Sequence, residues 1–140
     1  MLDKKCMKKE RIILDTNLWI SFIISNKLKS LDNILKENKA ILLYSSHLLE
    51  EIDKVIRRPK FKKYFSETNW YLLIELFKRY GIQLEVISNL AICRDSKDNF
   101  LLNLAIDGKA DFLITGDNDL LVLEKIENTK IVTFTEFINK

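Results

Sequence analysis

The sequence predicts an α/β sandwich: a central parallel sheet of about five strands with helices on both faces. The first indication is a set of short apolar runs, "RIIL" (11–14), "AILLY" (40–44) and "DFLIT" (111–115), that lack the polar alternation of a half-exposed strand. Strands buried on both faces lose that alternation. The second is that stretches with apolar residues three and four apart separate these runs, as crossover helices between parallel strands require. The third is that two of the runs end in acid. Leu14 leads into Asp15, and Ile114 leads through Thr115 and Gly116 to Asp117 and Asp119. Ligands of open parallel sheets bind at the carboxyl ends of the strands, so these acids are expected to share one edge and one cleft.

The elements follow in order. After strand 11–14, the stretch from Leu18 to Ile24 reads as helix, and Leu28, Leu31, Ile34 and Leu35 fall at helical spacing. Strand 40–44 runs into Ser45-Ser46, an N-cap for a helix carrying Leu48, Leu49, Ile52, Val55 and Ile56 on one face. Pro59 ends it. A helix is expected over 67–80 with Gly81 as its C-cap, then a strand "IQLEVI" (82–87). Residues 98–107 read as helix closed by Gly108, and 111–115 as the fourth strand. "DLLVLEKI" (119–126) looks helical, "KIVTF" (130–134) is the fifth strand, and "TEFINK" a short terminal helix.

The chain has 140 residues, 47% of them hydrophobic, enough for one globular domain over 1–140, with residues 1–10 as a candidate flexible arm. Its apolar runs fall short of the roughly 18 residues a membrane span needs, and the charged start lacks the apolar core of a secretion signal. Cys6 and Cys93 match no zinc or redox spacing, so the expected compartment is the reducing cytoplasm. Net charge is +3, but the charges are segregated. Lys54, Arg57, Arg58, Lys60, Lys62 and Lys63 form a basic run that is either a phosphate-gripping patch or a solvated face. Residues 95–119 carry Asp95, Asp98, Asp107, Asp111, Asp117 and Asp119.

Further acids can join Asp15 and Asp117. On the helix beyond strand two, Glu51 borders the apolar stripe on one side and Asp53 on the other, while Glu50 points away, so the wheel favours Glu51 without excluding Asp53. Asp95 and Asp98 flank the start of the next helix. The order of preference is Asp15, Glu51, Asp98 and Asp117, then Asp119 and Asp95. Asp15, Asp119 and Asp95 each have a plainer reading as helix or loop caps. Two carboxylates about 4 Å apart repel by roughly 4 kcal/mol at an effective dielectric near 20, so a cluster calls for protons or a hard divalent cation. Magnesium or manganese suits an all-oxygen site better than zinc. His47, the single histidine, cannot build a nitrogen-rich one and reads as surface packing. Such a site points to phosphodiester hydrolysis. The absence of a G-x-x-x-x-G-K-[ST] loop and of a G-x-S-x-G elbow argues against nucleotide and ester hydrolases.

These segments resemble the PIN-domain family, particularly its prokaryotic group of toxins in toxin-antitoxin pairs. "ILDTNLWIS" is similar to the family's opening strand and first acid, "SSHLLEEIDKVIRRPKF" to its second-acid helix, and "CRDSKDNFLLNLAIDGKADFLITGDNDLL" to its third and fourth acid segments. The match runs from about residue 11 to 137. The resemblance implies metal-dependent cleavage of RNA with magnesium or manganese. Asp15, Glu51, Asp98 and Asp117 would be the catalytic and metal-holding acids and Asp119 an auxiliary. Thr16, Asn17, Ser46 and Thr115 stand at matching polar positions that would orient water and carboxylates. Ser96 replaces a proline of many relatives, which alters loop stiffness and leaves the chemistry intact. An antitoxin protein and a homodimer, the latter supported by the apolar "NWYLLIELF", are the implied partners. The competing readings are a non-catalytic RNA- or protein-binding module holding a structural ion, and a phosphoryl-transfer or receiver domain. The second lacks its usual lysine near "IVTFTEF".

Overall fold

The computed structural model describes residues 9–93 and 95–140. The expected arm at 1–10, and Cys6 with it, lies mostly outside the described residues. The chain folds as a mixed α/β structure around a six-stranded sheet in the order β3-β2-β1-β4-β6-β5. β1 (Glu10–Leu14), β2 (Ala40–Tyr44), β3 (Gly81–Gln83), β4 (Phe112–Ile114) and β6 (Thr129–Val132) are parallel, and β5 (Lys125–Ile126) is antiparallel to β6. The helices are α1 (Thr16–Ile24), α2 (Leu28–Glu37), α3 (Ser46–Ile56), α4 (Glu67–Tyr80), α5 (Asn99–Gly108), α6 (Asn118–Leu121) and α7 (Phe134–Ile138).

Both faces of the sheet are covered, as the unbroken apolar runs require. Ile12, Ile13 and Leu14 are consecutive and all buried, although successive strand residues point to opposite faces. On β2, Leu43 lies against the end of α5, where a Cβ on Gly108 would come within 2.8 Å of it. The next residue, Tyr44, packs on Phe77 of α4 with ring centroids 4.6 Å apart. Each such large side chain removed from water contributes roughly 1.5–3 kcal/mol. No helix among the described residues is long and apolar enough to cross a membrane.

Several boundaries differ from the sequence expectation for identifiable reasons. The third strand is three residues long instead of running through Ile87, because side chains of α5 hold the following segment. Asp107 accepts from the backbone N–H groups of Ile87 (2.6 Å) and Ser88 (2.9 Å), and Asn103 exchanges bonds with Leu90. Asn99 accepts from Ile92 and Cys93. Residues 99, 103 and 107 are spaced by four and share one helix face, so this ladder replaces a sheet partner. The stretch 119–126 is not one helix. It comprises α6, then left-handed Glu124 (φ 62°), then the strand β5, with a further left-handed residue at Glu127 (φ 50°) making the tight turn into β6. Hairpin turns of this kind need positive φ and usually advertise it with Asn-Gly or Asp-Gly; here the turn is Glu-Asn, and the strand was hidden.

Of the two expected glycine caps, Gly81 does follow α4 as its C-cap, its N–H donating to the Phe77 carbonyl, while Gly108 is the last residue of α5; both also permit close packing. Gly81 is extended (ψ 153°), and an added Cβ would sit 2.3 Å from the Phe77 carbonyl oxygen. At the end of α5 the left-handed residue is Lys109 (φ 51°), while Gly108 lets the helix approach Leu43 and Leu84.

Candidate active site

β1 and β4 lie side by side where the strand order reverses: the chain winds from β1 outward through β2 to β3 on one side, while on the other β6 lies next to β4 and β5 at the edge. This switch point is where an open parallel sheet leaves a crevice at its carboxyl edge. The register pairs Leu14 with Ile114, and the Asp15 N–H donates to the Ile114 carbonyl at 3.1 Å. The strand-end acids therefore meet as neighbours.

Thr115 ties them together. Fully buried, it donates its hydroxyl to Asp15 Oδ2 and accepts from the Asp117 N–H at 3.0 Å. Asp15 Oδ1 accepts from the Leu18 N–H at 2.9 Å and caps α1. The capping expectation for Asp15 is met by one oxygen, and the other is held by Thr115 at the cleft. Burial raises the Asp15 carboxyl above its ordinary range, the Thr115 and Leu18 bonds oppose the rise, and the nearby Asp117 charge adds to it. Asp117 in turn caps the short α6 by accepting from the Asp119 N–H at 2.9 Å.

A cleft of about 200 Å³ opens over this unit, and Asp15, Glu51, Asp95, Asp98 and Asp117 all line it. Glu51 reaches it from α3. Asp53 does not: it forms an ion pair with Arg57 at 2.8 Å, which resolves the ambiguity of the wheel. Asp98 ends the single turn of 3-10 helix Ser96–Asp98, which Asp95 caps by accepting from the Lys97 N–H at 3.1 Å. The Asp98 carboxyl is pushed up to about 7, first by burial, then by hydrogen bonding and repulsion with Asp117, then by the charges of Asp95 and Asp15. Its Oδ2 is buried without a donor. An acid oxygen facing another acid is satisfied by a shared proton or by a cation. Thr16 Oγ1, also at the cleft, is likewise buried without a partner.

The donors are all oxygen, the set that hard divalent cations take. His47 is not among them. Among the described residues no three His, Cys, Asp or Glu side chains are grouped closely enough to hold a metal ion; the five carboxylates line the cleft. Asn17 is exposed at the rim. Ser46 is not in the cleft; it accepts from Gln83 Nε2 at 3.0 Å in a neighbouring groove. Asp119 is half-buried beside the cleft without lining it, and its carbonyl accepts from Cys93 Sγ.

Of the basic run, Arg58 alone lines the cleft. Lys54 and Lys62 are exposed on the surface, Arg57 lies over the Phe65 ring, and Lys60 and Lys63 lie over Phe61 and Tyr64. Two charged residues that sequence reasoning ranked low or passed over do line the cleft, Asp95 and Lys97. The sequence marked them only by crowding, since "DSKD" packs two acids and a base around one tight turn.

Strand-end acids at a β1/β4 switch point, with a helix and a turn delivering the others, match the expected architecture. A family model described as PIN domain aligns with residues 11–119, spanning every acid of the cleft. The chain belongs to the PIN-domain family. PIN domains are generally nucleases that bind divalent metals, so this one is placed among phosphodiester hydrolases at the level of the family. A relative from Methanocaldococcus jannaschii, named there "Uncharacterized protein MJ1680", is 35% identical over 144 residues, covering 94% of this chain and 92% of the relative. The similarity thus runs through essentially the whole of both chains.

Proposed function

We propose that this PIN domain is a metal-dependent endoribonuclease whose cleft holds Mg2+ or Mn2+ between Asp15, Glu51, Asp98 and Asp117, with Asp119 and Asp95 at its border. The observation that carries the reading is the donorless buried oxygen of Asp98 beside Asp117, an arrangement that a divalent ion relieves. When bound, the ion supplies polarisation of a phosphate oxygen and activation of a water. The chain's own groups do the rest. Thr115 fixes the Asp15 carboxylate, the Thr16 hydroxyl and Asn17 amide are placed to orient water, and Arg58 and Lys97 draw the phosphate backbone against the acid-lined cleft. Lys54, Arg57, Lys60, Lys62 and Lys63 would add only diffuse attraction.

Incubation of the purified chain with single-stranded RNA and Mg2+ or Mn2+ tests this. Cleavage should vanish with EDTA and fall by about 10²–10⁴-fold in Asp15→Asn and Asp117→Asn while circular dichroism stays unchanged. RNA left intact under all metal conditions, with metal binding retained in calorimetry, would leave the non-catalytic module holding a structural ion.

The toxin role, with an antitoxin protein as partner, rests on the sequence resemblance, and a cytoplasmic site of action on the cysteine usage. A homodimer is supported by Tyr71, 63% exposed on α4 beside the shallow apolar pocket formed with Trp70 and Ile74. Sedimentation of the wild type against Tyr71→Glu checks it.

A further inference from the structure

A second groove, of about 940 Å³, opens next to the acid cleft. Its walls are the start of α3, the segment 84–91 that the α5 ladder holds in place, and the first turns of α5. Phe100 lines both groove and cleft, so the two spaces border one another at that side chain. His47 lies flat on Phe100, ring centroids 4.1 Å apart and planes 9° from parallel. His47 is itself exposed and lines the groove, so part of the stacked side chain is open to that space.

The chemistry of the two spaces differs. The cleft carries acids with Arg58 and Lys97, as phosphate and metal require. Among the described residues, the groove has no lysine or arginine in its lining, and Glu85 is its single acid. The rest is serine, asparagine, glutamine and aliphatic carbon, with Gln83 and Ser46 joined at 3.0 Å across it. A phosphate gains nothing there. An uncharged planar ring with hydrogen-bonding edges does, because aromatic side chains stack bases while amides and hydroxyls meet their edges.

We propose that the groove is a nucleobase subsite, in which one base of a single-stranded RNA adjoining the cleaved phosphate stacks on His47 and extends the His47–Phe100 pair. The subsite rests on the nuclease reading above and specifies its substrate: an unpaired base must be free to leave the strand at that position. Duplex RNA, whose bases already stack on one another, would not fill it.

The test is equilibrium binding by the Asp117→Asn chain in Mg2+, so that the RNA stays intact. The probe is an end-labelled single strand carrying 2-aminopurine, whose fluorescence is quenched on stacking. Binding followed by anisotropy should come with quenching. Adding His47→Ala should abolish the quenching and weaken binding by about five-fold or more, and His47→Phe should restore both. The pre-annealed duplex should bind without quenching. Equal quenching and affinity in the His47→Ala chain, or failure of His47→Phe to restore them, overturns the subsite while RNA binding stands. If the Asp117→Asn chain gives no anisotropy change with any RNA, the nuclease reading falls and the subsite with it.

Discussion

Replacing Asp98 by asparagine should stabilise the metal-free protein above neutral pH, although it removes a residue of the proposed active site. The Asp98 carboxyl is raised from 3.8 to about 7 by burial and by Asp117. A folded chain that holds this proton more tightly than the unfolded chain loses stability as pH rises. The loss begins near the ordinary carboxylate value and is complete above pH 7. The difference of about 3 units is worth at most about 4 kcal/mol. Asp98 is only partly buried, and solvent screening reduces this to about 1–2 kcal/mol. The asparagine of Asp98→Asn keeps the shape and carries no charge, so the penalty disappears. At about 3 °C per kcal/mol for a chain of this size, the mutant should melt about 3–6 °C above the wild type at pH 8 in EDTA, and the gap should close toward pH 4. Thermal unfolding followed by circular dichroism across pH 4–8 measures it. Adding Mn2+ should raise the wild-type midpoint more than the mutant's, since a bound cation relieves the same repulsion. A mutant midpoint at or below the wild type at pH 8 would show that Asp98 is not held against its neighbours as described.

Thr115→Val keeps shape but removes the hydroxyl that donates to Asp15 and accepts from Asp117. It should cost about 1–3 kcal/mol by leaving buried polar groups unpaired, and denaturant titration should show the lowered midpoint together with reduced cleavage. Arg58→Ala should weaken RNA binding similarly for all sequences and reduce the slope of log affinity against log salt by about 0.7; Lys54→Ala, outside the cleft, should change the slope less in the same titration. Gly81→Ala should destabilise the fold by about 1–3 kcal/mol through overpacking, because its Cβ would meet the Phe77 carbonyl and the Tyr44 ring. Chemical unfolding checks this, and a stability equal to wild type would mean that α4 can move away from β2 without cost.

Features written in adjacent residues were legible before any fold was in view. An apolar run ending in Asp15, and another ending in Thr115-Gly116-Asp117, specify buried strands with acids at their carboxyl ends, because burial on both faces and capping are local properties. Ser45 before α3 is read for the same reason, whereas Thr133, assigned by its apolar neighbours to the fifth strand, instead forms a capping box with Glu136 at the start of α7. Which acids face one another depends on contacts between distant segments. Only the pairing of β1 with β4 sets Asp15 against Thr115, a hundred positions apart, and only the docking of α3 separates Glu51, at the cleft, from Asp53, paired with Arg57. The Asn99–Asn103–Asp107 ladder ended the third strand early, since side chains satisfied backbone groups that a longer strand would have left to the sheet. The His47–Phe100 stack joins two helices whose sequence spacing carries no sign of contact. Periodicity reports which face of an element is buried; which elements share that burial is settled by the packing of the whole chain.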